Sequence, residues 1–406
     1  MSSAARRELA ISVAARYRSA SKQEKSRILN EFASSTGYHR KYAITVLCKL
    51  DLLPSPIKPP RTTVGSRRRK YGPDVEKALW SLWEASGCAC PKLMMPGAHS
   101  LIDAYERHGE PLVSPYIKDK LLQMSPATAE RILSRLRRQK ARGISTTKPG
   151  TVLRDQIPIR KFHGWADAEP GFFEIDTVAH CGGTAAGDYA YSLTMTDVCT
   201  TWTENVAVPN RSRIAVVDGI DIIRRRLPFL LRGVDSDNGS EFINYHLKGY
   251  CDDHEIDFTR CQPYKKNDQC YVEQKNGAVV RPLVGYARYE GASAVDHLNR
   301  LYRANRLFLN FFKPTRKLIS KTRDGARMIK KYDAPKTPYE RLLDALGLTE
   351  TEKEQRRAKE FLPLNPAKLL RDIADLQMGL RHFAVDDPAP MRNVTVERGS
   401  EYGAAA

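Results

Sequence analysis

The order of hydrophobic patterns between residues 172 and 289 constrains the fold more than any other feature. Segments 172–178, 189–198 and 202–208 are short, rich in β-branched and aromatic residues, and separated by short polar breaks. They read as three consecutive antiparallel strands. At 213–227 the period changes to that of a helix, with Ile214, Val217, Ile220, Ile223 and Leu227 on one side. A strand at 230–235, a helix at 245–254, a strand at 256–259 and a helix at 271–289 follow. The predicted order is β-β-β-α-β-α-β-α, an α/β segment.

Three acids stand at telling places in that order. The run Val234-Asp235-Ser236-Asp237-Asn238-Gly239-Ser240-Glu241-Phe242 reads as a strand end and a tight turn, because Asn and Gly both tolerate positive φ. Asp237 is preferred over Asp235 as the acid aimed into open space, since Asn-Gly follows it directly. Asp176 lies on the first strand, and Glu273 lies on the last helix, with 35 residues between it and Asp237. Phosphodiester chemistry needs charge neutralised on the phosphate and an oxygen nucleophile activated, which two divalent ions ~3.5–4 Å apart achieve. Mg²⁺ takes hard oxygen ligands and keeps waters, so a few carboxylates suffice. Asp176 and Asp237 would lie side by side if the first and fourth strands pair. Among the rivals, Glu174 shares the side of Asp176 by the period of two. Asp197 reads as a structural acid at a strand end, and Glu241 as a cap for the following helix. His180 reads either as an aid to the metal site or the DNA strand, or as a hydrogen-bonded structural histidine.

The charge is uneven. Of a net +19, residues 1–150 carry 28 Lys+Arg against 12 Asp+Glu, and residues 151–406 carry 38 against 35. A basic front half joined to a balanced remainder points to nucleic acid. Ser21-Lys22-Gln23-Glu24 is a capping-box pattern opening a helix, and Gly37 separates it from a helix at 38–50 that carries His39, Arg40 and Lys41 at its start. This reads as a helix-turn-helix or as an ordinary helical hairpin. A proline-rich linker at 54–60 precedes Arg67-Arg68-Arg69-Lys70, a cluster suited to phosphates. Ser125-Pro126 is a strong helix start, and the helix it opens presents Arg131 and Arg135, either as a second DNA-reading helix or as a solvated basic face. Residues 143–150 read as a linker. Beyond the α/β segment, 293–312 reads as helical, 314–331 as a basic loop, and 337–346, 350–361 and 366–380 as helices. No apolar run reaches the ~18 residues of a membrane span, and no secretory stretch opens the chain. Eight scattered cysteines suggest reduced thiols, with Cys88-Ala89-Cys90 structural rather than zinc-binding.

Residues 165–312 resemble the catalytic core of the DDE transposase and retroviral-type integrase superfamily. The resemblance rests on Asp176-Thr177-Val178-Ala179-His180, Thr196-Asp197-Val198, Trp202-Thr203-Glu204, the run from Asp235 to Phe242, Pro263-Tyr264-Lys265-Lys266-Asn267-Asp268 and Val272-Glu273-Gln274-Lys275-Asn276. The longer matches are similar to bacterial insertion-sequence transposases. The resemblance implies a ribonuclease H-like fold, with a mixed five-stranded sheet flanked by helices. It implies Asp176, Asp237 and Glu273 as catalytic acids holding two Mg²⁺ or Mn²⁺ ions, and metal-dependent DNA cleavage followed by strand transfer. The implied partners are double-stranded DNA, as terminal inverted repeats and as target, and further copies of the chain on that DNA, as a homodimer or larger assembly. The implied location is the bacterial cytoplasm, at the nucleoid. The expected organisation is a helix-turn-helix module at 1–60, a second helical, winged-helix-like module at 61–150, the core at 151–315 and a basic, mainly helical region at 316–406. Two departures stand out. The paired His and Cys of an integrase zinc domain are absent, and Gly277 and Val280 stand where integrases place lysines after the glutamate. DNA contacts near the site are therefore expected from Lys265, Lys266, Lys275 and Arg281. The alternatives are a catalytically inactive DNA-binding regulator and a same-fold nuclease that cuts without joining.

Overall fold

The computed structural model describes residues 3–49, 70–140, 169–237, 239, 241–260, 270–324 and 327–385. The chain divides into two compact units, Met1–Lys70 and Tyr71–Ala406. In the first, α1 (Ser3–Ser19), α2 (Lys22–Thr36) and α3 (Arg40–Lys49) close around Ala10, Ala14, Ile28, Phe32 and Leu47. Ser21 and Glu24 form the expected capping box, and Gly37 at φ 70° ends α2 in the left-handed region that glycine adopts without a Cβ penalty.

The second unit begins with α4 (Pro73–Ala85), α5 (Pro91–Met94), α6 (Ala98–Arg107), α7 (Pro115–Leu122) and α8 (Pro126–Lys140). Then come β1 (Phe172–Ala179), β2 (Tyr191–Asp197), β3 (Thr203–Val208), α9 (Arg213–Arg224), β4 (Gly233–Ser236), α10 (Tyr245–Asp253) and β5 (Asp257–Arg260). Helix α11 (Cys270–Lys275) runs through a π turn, Asn276–Val280, into α12 (Arg281–Val284), and α13 (Gly291–Phe312) follows. The chain continues through β6 (Leu318–Asp324), β7 (Arg327–Tyr332), α14 (Pro338–Ala345), α15 (Glu350–Arg356), a second π turn and α16 (Pro366–Leu380).

The central sheet has the order β3-β2-β1-β4-β5. β1, β2 and β3 are antiparallel neighbours, whereas β4 runs parallel to β1 and β5 parallel to β4. Each parallel strand is reached through a crossover helix, as parallel pairing requires. The two faces differ in chemistry. Phe173, Ile175, Leu193 and Met195 point toward Val216 and Ile220 of α9 and form an apolar core. The alternate residues Glu174, Thr194, Thr196, Asn205 and Asp235 are buried on the other face, which α11 and α13 cover. A second core joins α4 and α8, through Leu79, Leu82 and Leu133, to α13, α14 and α16, through Leu301, Leu343 and Ile373. Helices from before and after the sheet thus share one apolar interior. Glu110 reinforces this with Arg371, whose guanidinium holds the carboxyl down at about 2.

Two expectations need correction. The helix expected across 271–289 stops at Gly285, at φ 78°, and Tyr289 instead makes a β-bridge to Ala384. The basic stretch expected as a loop at 314–331 is a two-stranded antiparallel ribbon, β6–β7. Its alternating charges hide the β pattern, although Asp324-Gly325 is a hairpin signal. Among the described residues, no helix is long and apolar enough to cross a membrane.

Candidate active site

The β1–β4 register builds the site. Glu174 lies opposite Asp235 and Ile175 opposite Ser236, so the next residues on the two chains are Asp176 and Asp237. Both acids therefore stand just past the end of the β1–β4 pairing, where β4 gives out while β1 runs on to Ala179, the usual mouth of a site in a sheet of this kind. Asp176 Oδ1 accepts the Thr177 backbone N–H at 2.7 Å, and its Oδ2 accepts from Asn276 Nδ2 at 2.6 Å. Asp237 Oδ1 accepts the Gly239 N–H at 2.8 Å. Two side-chain carboxylates crowd Gly239. A methyl group on it would lie 2.8 Å from Glu241 Oε2 and 2.9 Å from Asp237 Oδ1. The Glu241 and Asp237 carboxylates converge over that glycine, and Glu241 Oε1 also accepts from Thr177 Oγ1 at 3.4 Å.

Glu273 falls on α11, and its side chain lies outside the described residues. The backbone of α11 is pinned to the same sheet face. Buried Glu174 accepts the Val272 N–H at 3.1 Å, and Asn276, where the π turn begins, reaches Asp176. A π turn of this kind re-aims side chains within a helix and is frequent at functional sites. Asn276 Oδ1 is buried with no hydrogen-bond partner among the described residues. A carboxylate on β1, a second just after β4 and an unpaired amide oxygen make a set of hard oxygen donors that fits Mg²⁺ or Mn²⁺. Among the described residues, no three His, Cys, Asp or Glu side chains gather as a metal cluster by themselves.

The rivals take other places. Asp235 is fully buried and accepts from Thr259 Oγ1 at 2.6 Å. Asp197 closes the β2–β3 turn through Thr200 N, Thr200 Oγ1 and Gly171 N, while burial pushes its carboxyl up. His180 is fully buried against Ser192 Oγ at 2.6 Å, and desolvation lowers its pKa to about 3, so it is a neutral structural histidine. Glu241 and Asn276 are what sequence reasoning missed. Glu241 was read as a cap, but Asn244 caps α10 instead. Asn276, three residues after Glu273 and so on the same helical side, carried the only available signal.

Of the residues expected to touch DNA, His39, Lys41 and Arg131 are exposed. Arg40 is tied to Asn30 and Ser26, and Arg135 is paired with Glu76. Burial contradicts one expectation and bears on another. Lys275 is 8% exposed, and desolvation, with Lys313 and Arg341 nearby, lowers its pKa to about 7. Arg281 is half-buried, donating to Ala179 O at 3.1 Å and lying 4.8 Å from the Tyr286 ring centroid. Arg67, Arg68, Arg69, Lys265 and Lys266 lie outside the described residues.

A mixed sheet in this order, entered by three antiparallel strands and flanked by helices, defines an integrase-type core with the ribonuclease H-like fold. The family model described as integrase core domain matches residues 166–266. The chain belongs to the superfamily of DDE transposase and integrase catalytic cores. It is similar along most of its length to the uncharacterized protein y4rM of Sinorhizobium fredii. The identity is 44% over 343 residues, which make up 84% of this chain and 96% of the relative.

Proposed function

We propose that the protein is a DNA transposase that binds the terminal inverted repeats of its element and catalyses strand cleavage and strand transfer. The observation that carries this reading is the β1–β4 register, which brings Asp176 beside Asp237 under the helix that bears Glu273. Asp176, Asp237 and Glu273 would hold two Mg²⁺ or Mn²⁺ ions, which when bound neutralise the phosphate and clamp the attacking and leaving oxygens. Asn276 orients Asp176, the Gly239 N–H orients Asp237, and Glu174 fixes the start of α11. Water is the nucleophile of the first step and releases a 3′-OH. That 3′-OH then attacks a target phosphodiester in line, and one P–O bond breaks as another forms. No covalent enzyme intermediate and no nucleotide cofactor enter the scheme. The exposed His39, Lys41 and Arg131 are proposed to meet the DNA ends, and two ends call for at least two copies of the chain.

The test is cleavage and strand transfer on a labelled duplex carrying the element's own ends, with Mg²⁺, Mn²⁺ or EDTA. Metal-dependent nicking and joined products that vanish in Glu273→Gln support the proposal. Tight end binding without cleavage in either metal refutes it in favour of a regulator. Nicking without joining refutes it in favour of a nuclease.

A further inference from the structure

We infer that the β6–β7 ribbon is an arm that grips duplex DNA flanking the proposed active site. The inference rests on the DNA-processing reading above and extends it to a surface outside the sheet.

Charge marks the ribbon out. Residues 314–336 hold eight Lys+Arg against two Asp+Glu, whereas the rest of 151–406 holds 30 against 33. The basic excess of the back half of the chain is therefore concentrated in this one hairpin. Lys330 and Lys331 are exposed on β7, and the register sets Lys321 opposite Lys330.

The ribbon is firmly rooted and otherwise bare. Asp333 accepts from Lys317 N and from Arg341 Nη1, each at 2.6 Å, and Thr315 bridges Lys336. Lys317 Nζ reaches Cys199 O at 3.0 Å and Thr315 Oγ1 lies 2.8 Å from Thr201 Oγ1, which seats the root on the β2–β3 turn. Beyond that root no residue of β6 or β7 joins a hydrophobic core among the described residues. Ile319 is 68% exposed and Ile329 41%. An isolated hairpin is marginal in water, so a rigid base carrying an unsupported basic blade suits a surface that completes itself on a partner. A two-stranded ribbon is also of a size that the DNA major groove admits.

The register places the root away from the scissile bond, because the β2–β3 turn lies at the N-terminal end of β1 whereas the two acids lie at the C-terminal end of β4. Thr194 is the cross-strand partner of Asp176, and β2 ends three residues later at Asp197, where the root begins. That offset is about 10 Å at ~3.4 Å per residue, and a seven-residue strand adds a little over 20 Å, so the reach stays within about one helical turn of duplex.

The test uses the full chain and a fluorescein-labelled random-sequence duplex several turns long, followed by anisotropy across a salt titration. Each lost phosphate contact flattens the log–log salt slope by about 0.9, so Lys330→Ala with Lys331→Ala should flatten it by about 1.8. Wild type should then lose about tenfold more affinity than the double variant between about 50 and 200 mM salt. Circular dichroism of the variant should match wild type, since both lysines are exposed. An unchanged slope and affinity overturn the arm, while a wild type that still binds and cleaves DNA keeps the functional proposal. A wild type that fails to bind any duplex overturns both. A self-association abolished by Ile329→Asp, with DNA affinity untouched, would assign the blade to a second copy of the chain and also overturn the arm.

Discussion

Replacing Glu204 with Gln should destabilise the second unit strongly. Glu204 is fully buried on β3, 2.8 Å from Arg226 Nε and 2.9 Å from Arg306 Nε, and it accepts from Trp202 Nε1 at 2.9 Å. Its one negative charge serves two guanidinium groups. The two are further fixed to the backbone, Arg226 on Asn205 O and Arg306 on Arg226 O. Burial already presses the Arg226 pKa downward, which means that the site solvates a cation poorly. Gln keeps the shape but removes the charge and turns an amide N–H toward one of the cations. Breaking a buried pair in this way costs about 3–5 kcal/mol, because a charge is left without compensation. The assay is urea unfolding followed by fluorescence and circular dichroism together, with the midpoint falling and the slope unchanged. A control variant with Glu204→Leu, Arg226→Met and Arg306→Met should recover most of the loss, since well-packed apolar replacements of buried ion networks are often neutral. A loss below about 1 kcal/mol in Glu204→Gln, or a triple variant as unstable as the single one, would refute the reasoning.

Lys275→Met should stabilise the protein in a pH-dependent way. The folded pKa of Lys275 is about 7 against an ordinary 10.5, so between those values the unfolded chain binds more protons and stability rises with pH. The penalty is complete below about 7, so the gain from Met should be a few kcal/mol near pH 6 and should vanish near pH 10; a gain independent of pH counts against a buried lysine. Asn276→Ala should lower the cleavage rate about 10–100-fold and raise the Mg²⁺ concentration needed for half-maximal rate, as loss of an orienting partner does. DNA affinity should stay as in wild type, and an unaltered Mg²⁺ dependence would show that Asn276 does not position Asp176.

What could be read in advance was whatever the chain encodes locally. Strand and helix order followed from the change of hydrophobic period, and the Ser21 cap followed from its own four-residue pattern. The neighbouring places of Asp176 and Asp237 were legible because a strand and the turn after a strand each belong to short stretches. Lys275 was misread because its burial is decided elsewhere. A lysine beside a glutamate looks like a phosphate contact until α11 is laid on the sheet, near Lys313 and Arg341 from distant parts of the chain. The anchoring of Arg281 could not be read in advance for the same reason, since the Ala179 carbonyl that accepts from it lies about a hundred residues earlier. The Trp202-Thr203-Glu204 motif was recognisable without being understood, because both its arginine partners arrive from other elements.

The two faces of the sheet serve different ends. A chain selected for stability alone would fill both buried faces with Val, Ile and Leu, as sheets covered on both sides usually do. Here one face does so, while Glu174, Thr194, Thr196, Asn205 and Asp235 occupy the other and are almost wholly withdrawn from water. Each such group costs stability unless it is hydrogen-bonded, and three of the hydrogen bonds that answer the cost also fix positions near Asp176. Glu174 fixes the start of α11, Asn205 donates to Thr194 opposite Asp176, and Asp235 is held by Thr259 one residue pair below the β4 terminus. The polar face is thus a rigid platform beneath the two carboxylates. Replacing its threonines with valine should raise stability while loosening the geometry that the acids require.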